Sequence, residues 1–420
     1  MIEHWPARRA LPAILSLLGA VVPALAHAQA PTDYRTFNFF FENDAFVNSD
    51  TGYTNGIRLS WSLARTSRDV RRLSIFGVPW ALARLGLARP LGIDIAAVSR
   101  LPCQPTDTRD TREDGRCLLL DLGIGQTMYT PDSLTDPHLE PRDRPYAGFL
   151  FASVGATSLD APRMRDPESR FVMTQLSNMV IVGVTGPLAQ ARETQSLAHW
   201  TWSSGAVRPL GWHNQLRNAP QAALVTELHA RPAGWELCNI RNGQGKRIGC
   251  GSIDERRQFD VTPRAEAVIG TYLRRASLGT VVRAGSRFPD VVSLSRIPTT
   301  RIFGRAREEG RSVWKRIVPE PYWWYGFAAL DGRYVQHNSF IEGGYRDGGT
   351  DGWRSRRLID ARRTLAEGAV GVSVGNSSMT LTVQHIHRTP EYDVRDAPRA
   401  KGMHRYVTLN LAMFTRPGAH

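Results

Sequence analysis

Lysine is almost missing from this chain of 420 residues: among 53 basic side chains only Lys246, Lys315 and Lys401 are not arginine. Cysteine is scarce as well, with four residues and no C-x-x-C pair, which argues against a zinc or thioredoxin-like redox site. Beyond Gln29 there is no run of about 18 apolar residues, so no segment qualifies as a transmembrane helix. Internal repeats, low-complexity tracts and a linker to a second domain are also absent. Apolar and aromatic residues are plentiful. The chain is 42% hydrophobic with 15 Phe, 11 Tyr and 11 Trp, which excludes intrinsic disorder. The formal charge of +14 implies a polyanionic partner: nucleic acid, anionic lipid or a phosphorylated ligand. Arginine in particular suits bidentate phosphate contacts.

The first residues choose among these partners. Arg8 and Arg9 precede an apolar stretch over 11–25, and Ala26-His27-Ala28 supplies an A-x-A cleavage motif. This layout predicts a secretory signal peptide over residues 1–28, with a core too short for a retained anchor. Export disfavours nucleic acid and favours lipid phosphate as the partner.

Residues 29–420 show an alternation of period two. Phe37, Phe39 and Phe41 share one parity and Asn38, Glu42 and Asp44 the other, with Phe40 breaking the pattern. Ile57, Leu59, Trp61 and Leu63 alternate with Gly56, Arg58, Ser60 and Ser62, and similar stretches lie at 117–129, 379–384 and 407–413. A transmembrane β-barrel needs such segments of about ten residues, because lipid-facing and lumen-facing side chains alternate. Backbone satisfaction in lipid then demands closure. A soluble β-sandwich also alternates. Export and aromatic clusters such as Tyr322-Trp323-Trp324-Tyr325, which fit an interfacial girdle, favour the membrane.

The expected fold is therefore all-β: one closed antiparallel transmembrane β-barrel of about 12 strands in a Gram-negative outer membrane. The strands fall near 35–45, 54–65, 117–129, 146–158, 170–185, 214–230, 257–270, 272–286, 321–340, 361–375, 378–391 and 403–415. With a periplasmic N-terminus, the outer connections are 46–53, 130–145, 186–213, the turn near 271, 341–360 and 392–402. Leu59, Trp61, Leu120, Leu381 and Leu409 should face lipid, and Arg58, Ser60, Thr382 and Asn410 the lumen. The periplasmic connections 66–116 and 287–320 are long for such a barrel. Cys103–Cys117 and Cys238–Cys250 would each close a periplasmic connection as disulfides in an oxidising compartment.

Candidate chemistry gathers at the outer rim. Glu42-Asn43-Asp44 ends the first strand and Tyr53-Thr54-Asn55-Gly56 begins the second; parity places Asp44 and Thr54 on the inner face. A carboxylate, an amide and a hydroxyl could hold a hard cation such as calcium, or simply make a rim turn. His337-Asn338-Ser339 offers a His-x-Ser pair with no evident third member, and His385 and His387 fall with Leu381 and Val383 on the lipid side.

These rim motifs, with Gln126-Thr127-Met128-Tyr129-Thr130-Pro131, Asp143-Arg144-Pro145-Tyr146-Ala147-Gly148 and Gly211-Trp212-His213-Asn214-Gln215-Leu216, resemble the outer-membrane lipid A 3'-O-deacylase family, the LpxR-like proteins. The resemblance spans essentially the whole mature chain. It implies a twelve-stranded barrel with a short extracellular helical segment and a calcium-dependent esterase acting on lipopolysaccharide, expected as a monomer within outer-membrane lipid. Carried over, it assigns catalytic roles to Asn43, Asp44, Thr54 and His199, the last in a helix-like stretch over 188–202, with calcium at Asp44 and Asn43. Arg144 is the first candidate for substrate phosphate, with Tyr146 beside it. Two family features are missing: a Glu about six residues after the histidine, where Ser203-Ser204-Gly205-Ala206-Val207 stands, and a Lys before the Asp-Arg motif, where His138, Glu140 and Arg142 stand. The competing readings are a Ser-His outer-membrane phospholipase and a non-catalytic porin or structural barrel.

Overall fold

The computed structural model describes residues 35–44, 52–64, 116–160, 168–202, 209–238, 257–286, 323–348, 352–376, 379–395 and 402–415. In chain order its strands are β1 (Arg35–Asn43), β2 (Gly52–Ala64), β3 (Arg116–Thr130), β4 (Ala147–Asp160), β5 (Phe171–Thr185), β6 (Ala219–Pro232), β7 (Glu236–Cys238), β8 (Arg257–Gly270), β9 (Leu273–Ser286), β10 (Trp323–Asn338), β11 (Ile359–Ala361), β12 (Thr364–Gly375), β13 (Met379–Arg388), β14 (Tyr392–Val394) and β15 (His404–Thr415). Setting aside the short β7, β11 and β14, each of the twelve long strands pairs with its neighbours in the chain, and β1 pairs antiparallel with β15 to close the ring. All twelve expected strands are present. The signal peptide, the pairing of the four cysteines and most of the two long periplasmic connections lie outside the described residues.

Alternation becomes two faces. Outward stand Trp61, Val154, Val182, Ile269, Leu278, Leu330, Val370, Val372, Leu381 and Val383, all exposed as a lipid-facing band requires. Inward stand Arg58, Ser60, Thr382 and Asn410, all buried, together with Phe40. Leu59 and Leu409 share the outward parity, and the side chain of Leu120 is not among those described. The expected aromatic girdle is only half realised. Trp323 and Tyr325 point into the lumen and stack with centroids 5.8 Å apart, so Trp324 alone of these three faces out. His385 and His387 lie on the outward face, with Nε2 of His387 3.3 Å from Nδ1 of His385.

The lumen is filled by paired charge. Arg58 on β2 binds Asp121 on β3 and reaches Ser153 on β4 at 3.3 Å. Asp260 is shared by Arg231 at 3.0 Å and Arg283 at 2.7 Å, while Arg264 bridges Asp331 at 2.7 Å and Glu227 at 3.1 Å. Glu367 accepts from Arg333 at 2.5 Å and Arg388 at 2.7 Å. A charge buried beside its partner is tolerable, whereas removing one partner leaves the other uncompensated, at a cost of about 3–5 kcal/mol. Arg58→Ala should therefore lower the temperature at which the heat-modifiable barrel unfolds on a gel, more than Trp61→Ala on the lipid face does.

Candidate active site at the outer rim

Four outer connections knit into a cap. β11 pairs with β14. Leu358 N–H donates to the Pro141 carbonyl at 2.7 Å, Arg362 N–H to the Glu391 carbonyl at 2.8 Å, and Leu216 N–H to the Tyr146 carbonyl at 2.9 Å. Beneath this backbone, Tyr129 stacks on Phe340 with centroids 4.5 Å apart, and Phe149 packs on Tyr272 at 4.6 Å, stoppering the barrel mouth with aromatic surface. These rings line a cavity of about 70 Å³ together with groups that include Glu42, Thr127, Asn338 and Arg388.

The expected helix exists as α1 (Ala191–Trp202), entered through a 3-10 turn at Pro187–Ala189. Its position follows from two glycines. Gly186, with φ of 85°, reverses the chain and donates to the Gly148 carbonyl at 3.1 Å. Gly148 lacks the Cβ that would otherwise stand 2.5 Å from the Ala191 Cβ, so the helix start lies directly on the wall. Gln126 Nε2 donates to the Ala189 carbonyl at 2.6 Å, and Trp212 Nε1 to Gln195 Oε1 at 2.7 Å. Met128, Leu134, Tyr146, Ala191 and Trp212 form one buried cluster. Met128 and Gly148 have the outward parity of their strands, so α1 roofs the lipid side of the wall, above β3 and β4.

Register extends this roofed surface across the rim. Asn43 pairs with Asn55, Asn55 with Met128, and Met128 with Gly148, one row on the outward faces of β1, β2, β3 and β4. Asn55 is only 7% exposed, and its Oδ1 is buried without a hydrogen-bond partner. Leaving such an oxygen unsatisfied costs about 1–3 kcal/mol. The sequence motifs assign no role to Asn55. The signal that could find it is its parity with Ile57, Leu59 and Trp61, which makes it an amide on an otherwise apolar face.

The other expected site residues divide. Asp44 is buried at the end of β1 with the inward parity of Glu42, and Asn43 is half-buried. Thr54 falls where the β2–β3 register shifts between Tyr53 and Asn55, so it is the extra residue of a bulge and parity gives it no face. His199 lies in α1, four residues beyond Gln195, and its side chain is not among those described. Arg144 and Tyr146 do not present themselves to a substrate. Both are buried: the Arg144 guanidinium binds Glu391 at 2.6 Å and lies over the Tyr129 ring, and Tyr146 packs on Trp212. Tyr392 O–H donates to Asp143 in the same core. The segment holding Ser203-Ser204-Gly205-Ala206-Val207 lies outside the described residues.

His337 and Ser339 acquire the third member that the sequence does not reveal. The β9–β10 register shifts between Val335 and His337, pairing His337 with the outward-facing Arg274. His337 Nε2 is 2.9 Å from Ser339 Oγ and its Nδ1 3.1 Å from Glu342 Oε2, at the end of the single-turn helix α2 (Ser339–Glu342). Burial alone would raise the Glu342 carboxyl, but hydrogen bonds from His337, Arg363 and the Asn338 N–H bring it down to about 2. Ser339 itself is 1% exposed.

The molecule is thus a closed barrel whose outer rim carries, on the lipid side, a row of paired residues roofed by α1. A family model described as Outer membrane protein LpxR matches residues 13–408, and the chain belongs to that family. LpxR from Salmonella typhimurium is structurally similar, with a TM-score of 0.58 and 17% identity over 90% of this chain and 100% of that one. The translocator domain of the autotransporter NalP from Neisseria meningitidis also aligns, at a TM-score of 0.34 and 6% identity, covering 96% of this chain and 97% of its own. No curated protein matches the chain by sequence.

Cap and barrel meet at Glu391. Burial by itself raises its carboxyl, but Arg144 and then Arg388 outweigh it and hold the group down at about 2. A depressed carboxylate contributes stability that is complete above its unfolded value, roughly 4.5, and is lost as pH falls towards 2. Protease nicking of the outer connections should therefore stay low down to about pH 4 and rise only below it. Glu391→Gln should make nicking high at neutral pH and remove that dependence.

Proposed function

We propose that this protein is a lipid A 3'-O-deacylase, which hydrolyses the 3'-linked acyloxyacyl ester of lipopolysaccharide at the outer leaflet. The supporting observation is the row Asn43–Asn55–Met128–Gly148 on the outward face of the wall, polar at one end and roofed by α1 at the other. Acyl chains would then lie along the outward apolar band while the ester reaches the rim. His199 acts as general base. Its imidazole takes a proton from water as the water oxygen attacks the ester carbonyl, and returns it to the sugar oxygen as the acid departs. Thr54 and Asn43 hold the ester and the attacking water by hydrogen bonds.

Among the described residues no three His, Cys, Asp or Glu side chains converge as a metal cluster. The rim instead offers hard oxygens of the kind calcium takes: Asn43 and Asn55, whose buried Oδ1 has no hydrogen-bond partner, stand paired on the outward face, and the Asp44 carboxylate follows at the end of β1. Asp44 and Asn43 would hold the ion. When bound, calcium polarises the ester carbonyl and steadies the oxyanion. Arg144 and Tyr146 act through the cap, fixing the floor and the loop that α1 rests on. Cleavage of residues 1–28 on export and the Cys103–Cys117 and Cys238–Cys250 disulfides belong to the same reading, with the chain acting as a monomer.

The Ser339–His337–Glu342 chain of contacts favours a second reading, a serine hydrolase at the outward rim. The burial of Ser339 weighs against it. A porin is disfavoured by a lumen crossed by ion pairs. Mass spectrometry of lipid A from cells with and without the protein separates these readings: loss of the 3' acyloxyacyl mass is expected. His199→Ala should reduce release by about 10²–10⁴ with heat-modifiable gel mobility intact. Asp44→Ala and chelation should each abolish it, and calcium should restore only the chelated wild type. A dead Ser339→Ala variant beside an active His199→Ala variant would transfer the chemistry to the serine. Steady conductance in planar bilayers without acyl release would leave the porin.

A further inference from the structure

We propose that Arg405 and His387 form a phosphate subsite on the lipid side of the rim, which holds a phosphate monoester on the sugar of the same lipid whose ester is cleaved beside Asn43; this rests on the deacylase reading above. Arginine content and export point to lipid phosphate, yet Arg144 is committed to Glu391 inside the cap. The outward row supplies a replacement where it continues past Asn43. Asn43 pairs with Val407 on β15, and Val407 with His385 on β13, all three with outward parity. Arg405 lies two residues nearer the outer end of β15, about 7 Å above that row, and pairs with His387. Arg405 is exposed and, among the described residues, forms no ion pair, whereas Arg231, Arg264, Arg283 and Arg333 in the lumen are each paired.

A guanidinium on a lipid-facing strand is costly unless its head reaches water or headgroup phosphate, and its planar fork grips two phosphate oxygens at once. Residues directly opposite on antiparallel strands have Cβ atoms about 4.5–5.5 Å apart, so Arg405 and His387 can close on one phosphate. His387 Nε2 is 3.3 Å from His385 Nδ1 and the two ring centroids are 4.2 Å apart, which fixes the His387 ring. With Nε2 accepting from His385, a neutral His387 carries its proton on Nδ1, a donor for a phosphate oxygen. Space for the ligand lies beside it. Gly368 on β12 stands across from His387, and a Cβ there would meet nothing closer than the Ala329 carbonyl oxygen at 4.0 Å. The other outward neighbours in register are Val407 and Val370, so no carboxylate competes for the guanidinium.

The test uses the full chain in detergent micelles, with lipid A bearing its sugar phosphates and with the same lipid dephosphorylated. Arg405→Gln and His387→Ala should keep heat-modifiable mobility and raise KM for the phosphorylated lipid with kcat held. For Arg405→Gln the rise should be at least about tenfold, the scale of one charge-assisted hydrogen bond. Neither should change KM for the dephosphorylated lipid. Arg274→Ala, likewise exposed on an outward face but separated from β15 by β13, β12 and β10, should behave as the wild type. Binding is read without turnover by native mass spectrometry in the His199→Ala background: the phosphorylated lipid should be retained over the dephosphorylated one, and Arg405→Gln should erase that preference. A wild type that cleaves both lipids with equal KM, or an Arg405→Gln variant that keeps the preference, would overturn the subsite and leave the deacylase standing. A wild type that cleaves neither lipid overturns the deacylase, and the native mass spectra then decide the subsite alone. Loss of the preference in excess inorganic phosphate would assign the patch to the free anion and overturn the lipid assignment. Should Arg405→Gln fail to fold, His387→Ala carries the same comparisons.

Discussion

Arginine paired with carboxylate inside the barrel is the interaction on which the rest of this structure rests. A strand that crosses lipid turns alternate side chains inward, and here many of those carry charge. Each charge must find a partner before its strand can be buried. Arg58 finds Asp121 on the next strand, Arg264 spans from β8 to Glu227 on β6 and Asp331 on β10, and two arginines share Asp260. One line of such contacts climbs out of the lumen: Arg333, Glu367, Arg388, Glu391, Arg144. The cap, and with it the loop beneath α1, is thereby fastened to the barrel interior. A planar guanidinium with five donors can serve two carboxylates at once, which lysine does less well. Part of the arginine that composition alone assigns to phosphate recognition is therefore engaged inside the protein.

Period-two patterning makes most of the barrel legible in the sequence alone. All twelve strands, the closure and the two faces follow from it, because in a membrane a slip of one residue would put charge into lipid. The pattern misleads where packing replaces lipid. Trp323 and Tyr325 look like girdle residues but stack inside, since aromatic surface can fill a lumen as readily as it can meet a bilayer. Arg144 looks like a phosphate ligand because its motif sits in an outer connection, and local sequence does not register that Glu391, far away along the chain, neutralises it.

The rim shows a second limit of parity. Register shifts occur near the outer ends of β2 and β10, each beside residues with chemical potential. On β10 the shift turns His337 outward to meet Ser339 and Glu342; on β2 it leaves Thr54 unpaired ahead of Asn55. Counting odd and even positions through such a point assigns the wrong face or none. Barrel walls are thus most predictable where they only cross the membrane and least so where chemistry is placed.

The closing seam of the barrel runs through β1, whose other edge and outer end belong to the rim row. Asn43 is held between Asn55 on β2 and Val407 on β15, a partner from the opposite end of the chain. Until the last strand has zipped onto the first, one edge of β1 has no neighbour to set its height or tilt. Closure therefore fixes the position of Asn43, and the rim chemistry proposed above would be complete only once the ring has formed. Assembly itself would then act as the safety catch, holding that activity back until insertion is complete.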